Sequence, residues 1–195
     1  AACLPIIEKN CAEGNEFWMS QITPNPTQID VYNGLKLIEG CDPDFILAIG
    51  GGSAIDTAKG VSNFHYLFKG KEITVEAITE MLRSGSYKAE HEVIDIISVP
   101  SAAGTGSEVT PFAVITDEQT GVKYPLADYE LLPNMAIIDT DFHMSAPRGL
   151  TAASGIDAVT HALEAYVAML ATDYTDGLAL QALKNIFRYL PRAYD

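Results

Sequence analysis

The sequence predicts an α/β layer that gives way to consecutive helices, on three observations. Short apolar runs such as Phe45-Ile46-Leu47-Ala48-Ile49 alternate with segments of helical composition, loops of small residues follow two of those runs, and no strand pattern recurs after Pro147. The change of pattern divides the chain into an α/β domain over residues 1–147 and the start of a helical domain over residues 148–195.

Pro26 opens a helix with Ile29, Tyr32, Leu35 and Ile38 on one face, and Gly40 stands where it ends. Phe45 to Ile49 is continuously apolar, the pattern of a strand covered on both sides. Gly50-Gly51-Gly52-Ser53 follows at once and leads into Ala54-Ile55-Asp56-Thr57-Ala58-Lys59, which has good helix composition. A polar, helix-favouring stretch from Glu72 to Arg83 precedes a second buried run, Val93 to Val99, closed by Pro100. Ser101 to Ser107 forms another small-residue loop. Val114-Ile115-Thr116 and Val122-Lys123-Tyr124 flank Asp117 to Gly121 at hairpin spacing, and Met135 to Ile138 reads as one more buried strand. Helices run from Pro147, the second from about Asp176 to Tyr189.

With 195 residues, 48% of them hydrophobic, the chain can bury a substantial core. A formal charge of −14 opposes binding to nucleic acid or to an anionic membrane surface, since both demand concentrated Lys and Arg. Cys3, Cys11 and Cys41 are odd in number and lack paired metal or redox spacing, which fits reduced thiols in the cytoplasm. No basic-then-apolar leader opens the chain, and no uncharged apolar run reaches the roughly eighteen residues of a membrane span.

A glycine loop between a buried strand and a helix lets bare backbone approach a ligand, and the N–H groups at the helix start favour an anion such as a pyrophosphate. A glycine triplet alone also serves as a plain tight turn. Two such loops after two strands shift the balance, because ligands of open α/β sheets sit beyond the carboxyl ends of the strands. Neither loop matches the G-x-G-x-x-G or Gly-Lys-Ser/Thr fingerprints. Asp56 reads either as favourable placement in the helix dipole or as an acceptor for a ligand amide or sugar.

From Ala152 to Thr172 the chain is almost wholly small and apolar, yet it carries Asp157, His161 and Glu164 with no Lys or Arg. Their spacing sets them on one helical stripe opposite Val159, Leu163, Tyr166, Val167 and Leu170, so a helix buried on more than one face is expected. Buried carboxylate and imidazole need a partner. A divalent cation reached from Asp157 and His161, one turn apart, is one solution; a hydrogen bond between the two is the other. Glu164 reads as a structural carboxylate.

Three segments, Gly50 to Lys59, Pro100 to Glu108 and Gly155 to Tyr166, together resemble the iron-containing (group III) alcohol dehydrogenases. Thr110 to Val114 and Lys123 to Tyr129 further resemble the alcohol dehydrogenase half of bifunctional aldehyde-alcohol dehydrogenases. The resemblance implies a Rossmann-like nucleotide-binding domain followed by an all-α domain, with the active site in the cleft between them. It implies that Gly51, Gly52 and Ser53 hold the diphosphate of NAD(H) or NADP(H) and that Asp56 lies near the nicotinamide. Ser101, Thr105, Thr110, Phe112 and Lys123 would add cofactor contacts. Asp157 and His161 would be two metal ligands, for Fe(II) or for Zn(II). Family members add two later histidines, and none follows His161 here, so the chain reads as an internal fragment that is expected to be inactive by itself.

The implied reaction is hydride transfer between NAD(H) and a primary alcohol or aldehyde, with the metal polarising the substrate oxygen. A homo-oligomer is expected, because a shortened helical domain would leave an apolar patch. A glycerol dehydrogenase, a dehydroquinate-synthase-like enzyme and a nucleotide-binding module without catalysis are the alternative readings.

Overall fold

A computed structural model of the chain describes residues 17–88 and 91–195, so Cys3 and Cys11 lie outside the described residues. Helix α1 (Gln28–Leu37) begins at Thr27, whose hydroxyl and the Asp30 carboxylate form a reciprocal capping box. Its buried face is Val31, Leu35 and Ile38, a step round from the face predicted through Ile29 and Tyr32. The polar Gln28 and Asp30 are buried with them because each is bonded: Gln28 Oε1 accepts from the Glu118 N–H, and Asp30 accepts from Thr23 and Thr27.

Strand β1 (Phe45–Gly50) runs directly into α2 (Gly52–Leu67), and α3 (Val75–Ser84) leads toward β2 (Asp95–Pro100). The antiparallel hairpin β3 (Phe112–Thr116) and β4 (Lys123–Ala127) comes next, then the two-residue β5 (Met135–Ala136). Strands β1, β2 and β5 form a parallel sheet in that order, with Ile46 beside Ile96 and Ile97 beside Met135. Parallel neighbours require a crossover, and α2 with α3 supplies it between β1 and β2.

Helix α2 packs on the sheet, on α1 and on β3, and the main core gathers around it. Val31, Phe64, Ile78, Ile115 and Leu126 are all fully enclosed there; burying such side chains contributes roughly 1.5–3 kcal/mol each. The hairpin turn is docked from two sides. Gln28 holds the Glu118 N–H, and the Arg83 guanidinium meets the buried Asp117 carboxylate at 2.9 Å.

Two strand expectations are corrected. In β1, Phe45 is 51% exposed and Leu47 37%, so one face only is covered, the face on which α2 packs. Met135, Ile137 and Ile138 are exposed as well, because β5 is a sheet edge that pairs with β2 through just two residues.

After a short α4 (Asp141–Met144), helices α5 (Arg148–Val167) and α6 (Asp173–Tyr194) pack chiefly on each other. Here too an expectation fails: of α5 only Gly155 and Ala162 are buried, while Leu163, Tyr166 and Val167 stand exposed. One partner helix covers one narrow stripe, not the several faces that the apolar composition suggested. Among the described residues no helix is long and apolar enough to cross a membrane.

Candidate functional site

The register of β1 with β2 ends at Gly50 beside Pro100, which sets the two small-residue loops side by side. The Ser101 N–H donates to the Gly50 carbonyl at 2.9 Å and ties them together. Gly50 has φ +157°, a backbone state that side chains resist, and it lets the chain turn from strand into helix. Gly51 then caps α2 with backbone alone; its carbonyl accepts from Ala54 and Ile55, while the Gly52 and Ser53 N–H groups precede the first helical bond.

The two loops touch at Gly52. A Cβ there would lie 3.0 Å from Thr105 Cγ2 and 3.2 Å from Ser107 Oγ, whereas one at Gly51 would meet nothing within 4 Å. Gly51 therefore faces open space and Gly52 faces the second loop. Thr105 Oγ1 accepts the Ser107 N–H at 3.3 Å, which keeps that loop folded on itself. Ser53 Oγ accepts from the Asn25 N–H at 3.3 Å, and the Asn25 side chain accepts from Lys123 Nζ at 3.0 Å. Lys123 is thereby joined to the first loop through Asn25, a residue with φ +57° that sequence reasoning missed.

Asp56, one turn into α2, is divided in its loyalties. Its Oδ2 accepts the Val114 N–H at 3.0 Å, and its Oδ1 is buried without a hydrogen-bond partner. Burial pushes the carboxyl above its usual range; the Val114 N–H, the Lys59 ammonium and the nearby Ser107 hydroxyl oppose that rise. Lys59 is fully enclosed, and Nζ donates to the Thr110 carbonyl at 2.7 Å and the Phe112 carbonyl at 2.6 Å. Burial lowers its pKa to about 8, with Asp56 and Glu108 pulling the other way. Sequence reasoning passed over Lys59, although its position four residues after Ile55 put it on the buried face of the helix. The Phe112 side chain itself is exposed, beside the half-buried Thr110.

On α5, Asp157 Oδ1 and His161 Nε2 lie 3.7 Å apart, with side chains 44% and 53% exposed. Neither is the buried group expected from the sequence, and the separation is too long for a hydrogen bond. Among the described residues no third His, Cys, Asp or Glu joins them to make a cluster. His161, Ala158 and Ala162 line a groove of about 410 Å³ with Gly104, Leu178 and Ile186. Gly104 belongs to the second loop, and a Cβ on it would strike the Ser154 carbonyl three residues before Asp157. That close approach brings the loop and the Asp157–His161 pair to one place.

A family model for iron-containing alcohol dehydrogenases matches residues 3–140, and one for the C-terminal part of the same family matches residues 151–195. The chain belongs to the iron-containing alcohol dehydrogenase family. Within this family it is 45% identical over 176 residues to the bifunctional aldehyde-alcohol dehydrogenase AdhE of Escherichia coli, covering 89% of the chain and 20% of that protein. It is 39% identical over 174 residues to the NADPH-dependent butanol dehydrogenase of Clostridium saccharobutylicum, covering 89% and 43%. Its fold superposes on that of the sulfoacetaldehyde reductase of Bifidobacterium kashiwanohense, solved in complex with NAD+, with a TM-score of 0.80 at 31% identity, over 90% of the chain and 44% of the other. This iron-containing alcohol dehydrogenase chain thus spans about a fifth of the bifunctional relative and under half of the butanol dehydrogenase. The Rossmann-like layer followed by helices is the architecture of these neighbours.

Proposed function

We propose that the protein to which this chain belongs transfers hydride between NAD(H) or NADP(H) and a primary alcohol or aldehyde in the cytoplasm. The observation that carries this reading is the pairing of backbone N–H groups at the start of α2 with the buried, unpartnered Asp56 Oδ1 one turn further on. The first suit an anion and the second suits a donor, as a dinucleotide's diphosphate and carboxamide or sugar would require. Gly51, Gly52 and Ser53 hold the diphosphate; Ser101, Thr105, Thr110, Phe112 and Lys123 border the rest. The NAD+ complex of the sulfoacetaldehyde reductase supports the nicotinamide assignment.

Asp157 and His161 supply one oxygen and one imidazole nitrogen on the same face of α5, a donor set suited to Fe(II) and also to Zn(II). When bound, a divalent ion there acts as a Lewis acid toward the substrate oxygen. The residues of this chain do the holding and orienting. Gly104, pressed on Ser154, keeps the second loop against the helix that carries both ligands, so cofactor and substrate oxygen share one cleft. The nucleotide-binding unit spans residues 1–147 and the metal-binding helical unit starts at residue 148.

The test is Gly52→Val in the full-length protein, followed by calorimetric titration with NADH. The added side chain must displace Thr105 and Ser107, and NADH affinity is expected to fall at least tenfold, about 1.4 kcal/mol. Unchanged affinity in a folded variant would remove both loops from the cofactor site.

A further inference from the structure

Among the described residues the outer edge of β3 meets other backbone at a single bridge, Thr116 to Thr27, where the Thr116 N–H donates to the Pro26 carbonyl; from there back to residue 110 it is bonded at every second residue to side chains. Lys59 Nζ takes the carbonyls of Thr110 and Phe112, and Asp56 Oδ2 takes the N–H of Val114. The opposite edge pairs normally with β4, Phe112 beside Ala127 and Val114 beside Pro125. Alternate residues of a strand turn their peptide groups to the same side, so 110, 112 and 114 present one edge. One turn of α2, from Asp56 to Lys59, thus stands in for a neighbouring strand.

The arrangement is costly for a core. Lys59 is fully enclosed and makes no ion pair within 4 Å among the described residues, and a methionine would fill similar space without desolvating a charge. What the ammonium secures is the path of residues 110–112, immediately after the second glycine loop. The same turn of helix also carries the unpartnered Asp56 Oδ1.

We infer that Lys59 is a positioning residue, which fixes Thr110 and Phe112 relative to the glycine loops, with Asp56 as the second prong of the same clamp. The inference rests on the nucleotide-site reading above and adds a residue that does not touch the cofactor. Lys59→Met keeps the volume and loses both donors; Lys59→Gln keeps an N–H donor on a shorter arm.

In the full-length protein, Lys59→Met is expected to raise the Kd for NADH about tenfold, because the contacts are no longer preorganised. The KM for cofactor should rise while kcat at saturating cofactor holds. Amide exchange should quicken at residues 112–114 and stay slow along α2, and Lys59→Gln should restore part of the affinity. A residue that merely filled the core would lower the melting temperature without moving the Kd of the folded protein. Unaltered NADH affinity in a folded variant, or failure of both variants to fold, overturns the assignment. Gly52→Val separates the two claims: if it weakens NADH binding and Lys59→Met does not, the clamp fails and the nucleotide site stands; if neither does, the nucleotide site fails first.

Discussion

Asp56 and Asp157 are both helical carboxylates beside the second glycine loop, and their surroundings differ in kind. Asp56 lies under two loops and a hairpin, with one oxygen committed to Val114 and the other buried and unpartnered. Asp157 is 44% exposed on a helix that one neighbour covers, and it faces a single imidazole at 3.7 Å. The first carboxylate is held by this chain's own elements, which shield one of its oxygens from water without offering it a donor. The second presents two groups on an open face, and as the proposed ion site it would need further donors, since tetrahedral sites need three or four groups. Burial creates the demand for a partner; exposure leaves water to meet it.

The comparison is sharpened most by removing the imidazole. His161→Ala in the full-length protein should lower metal affinity at least about a hundredfold, given that even supporting partners of a ligand contribute 10–100-fold. NADH affinity should stay as it was, and metal content by atomic absorption beside a calorimetric titration reads both. If metal content persists, α5 is no ligand helix and the contrast between the two carboxylates is one of packing alone.

A smaller effect is expected where the two regions meet. Gly104→Ala drives a methyl into the Ser154 carbonyl, which is backbone and cannot rotate away, so the loop and α5 must part. Overpacking of this kind costs about 1–3 kcal/mol, and the urea midpoint would show it. Here NADH and metal affinities should fall together; a loss of one alone would mean that the regions are not coupled through this contact.

The smallest effect lies away from both sites and depends on pH. Burial pushes the Asp117 carboxyl up, but Arg83, the Thr120 hydroxyl and the N–H groups of Gln119 and Thr120 outweigh it and hold the pKa below the usual carboxylate range. A depressed carboxyl adds stability above its unfolded pKa and loses it as pH falls through the folded value. Arg83→Ala should therefore lower the urea midpoint at neutral pH, and the gap to the parent protein should close in acid. A gap equal at every pH would show that Arg83 acts by packing, not by charge.

Much of the α/β layer was legible because apolar runs, glycine punctuation and helix composition all pointed the same way over residues 45–59 and 93–107. The placement of the two loops side by side followed from the parallel pairing of β1 with β2. What could not be read were properties set by distant partners. Gln28 is buried because of a bond to Glu118, ninety residues on, and Lys59 because of carbonyls at 110 and 112. The open faces of β1 and α5 escaped for the converse reason, since apolar composition states what a residue prefers and not which element covers it. The helix spacing of Asp157 and His161 was legible; their exposure was not.

The side-chain sheath along β3 has one more effect. A bare strand rim is an invitation for a second polypeptide to zip on, and folds commonly discourage this with charges or bulges. Here a lysine and an aspartate have already taken the carbonyls and the amide that such an intruder would use. The β3 side of the hairpin is thus guarded against strand addition from inside the molecule.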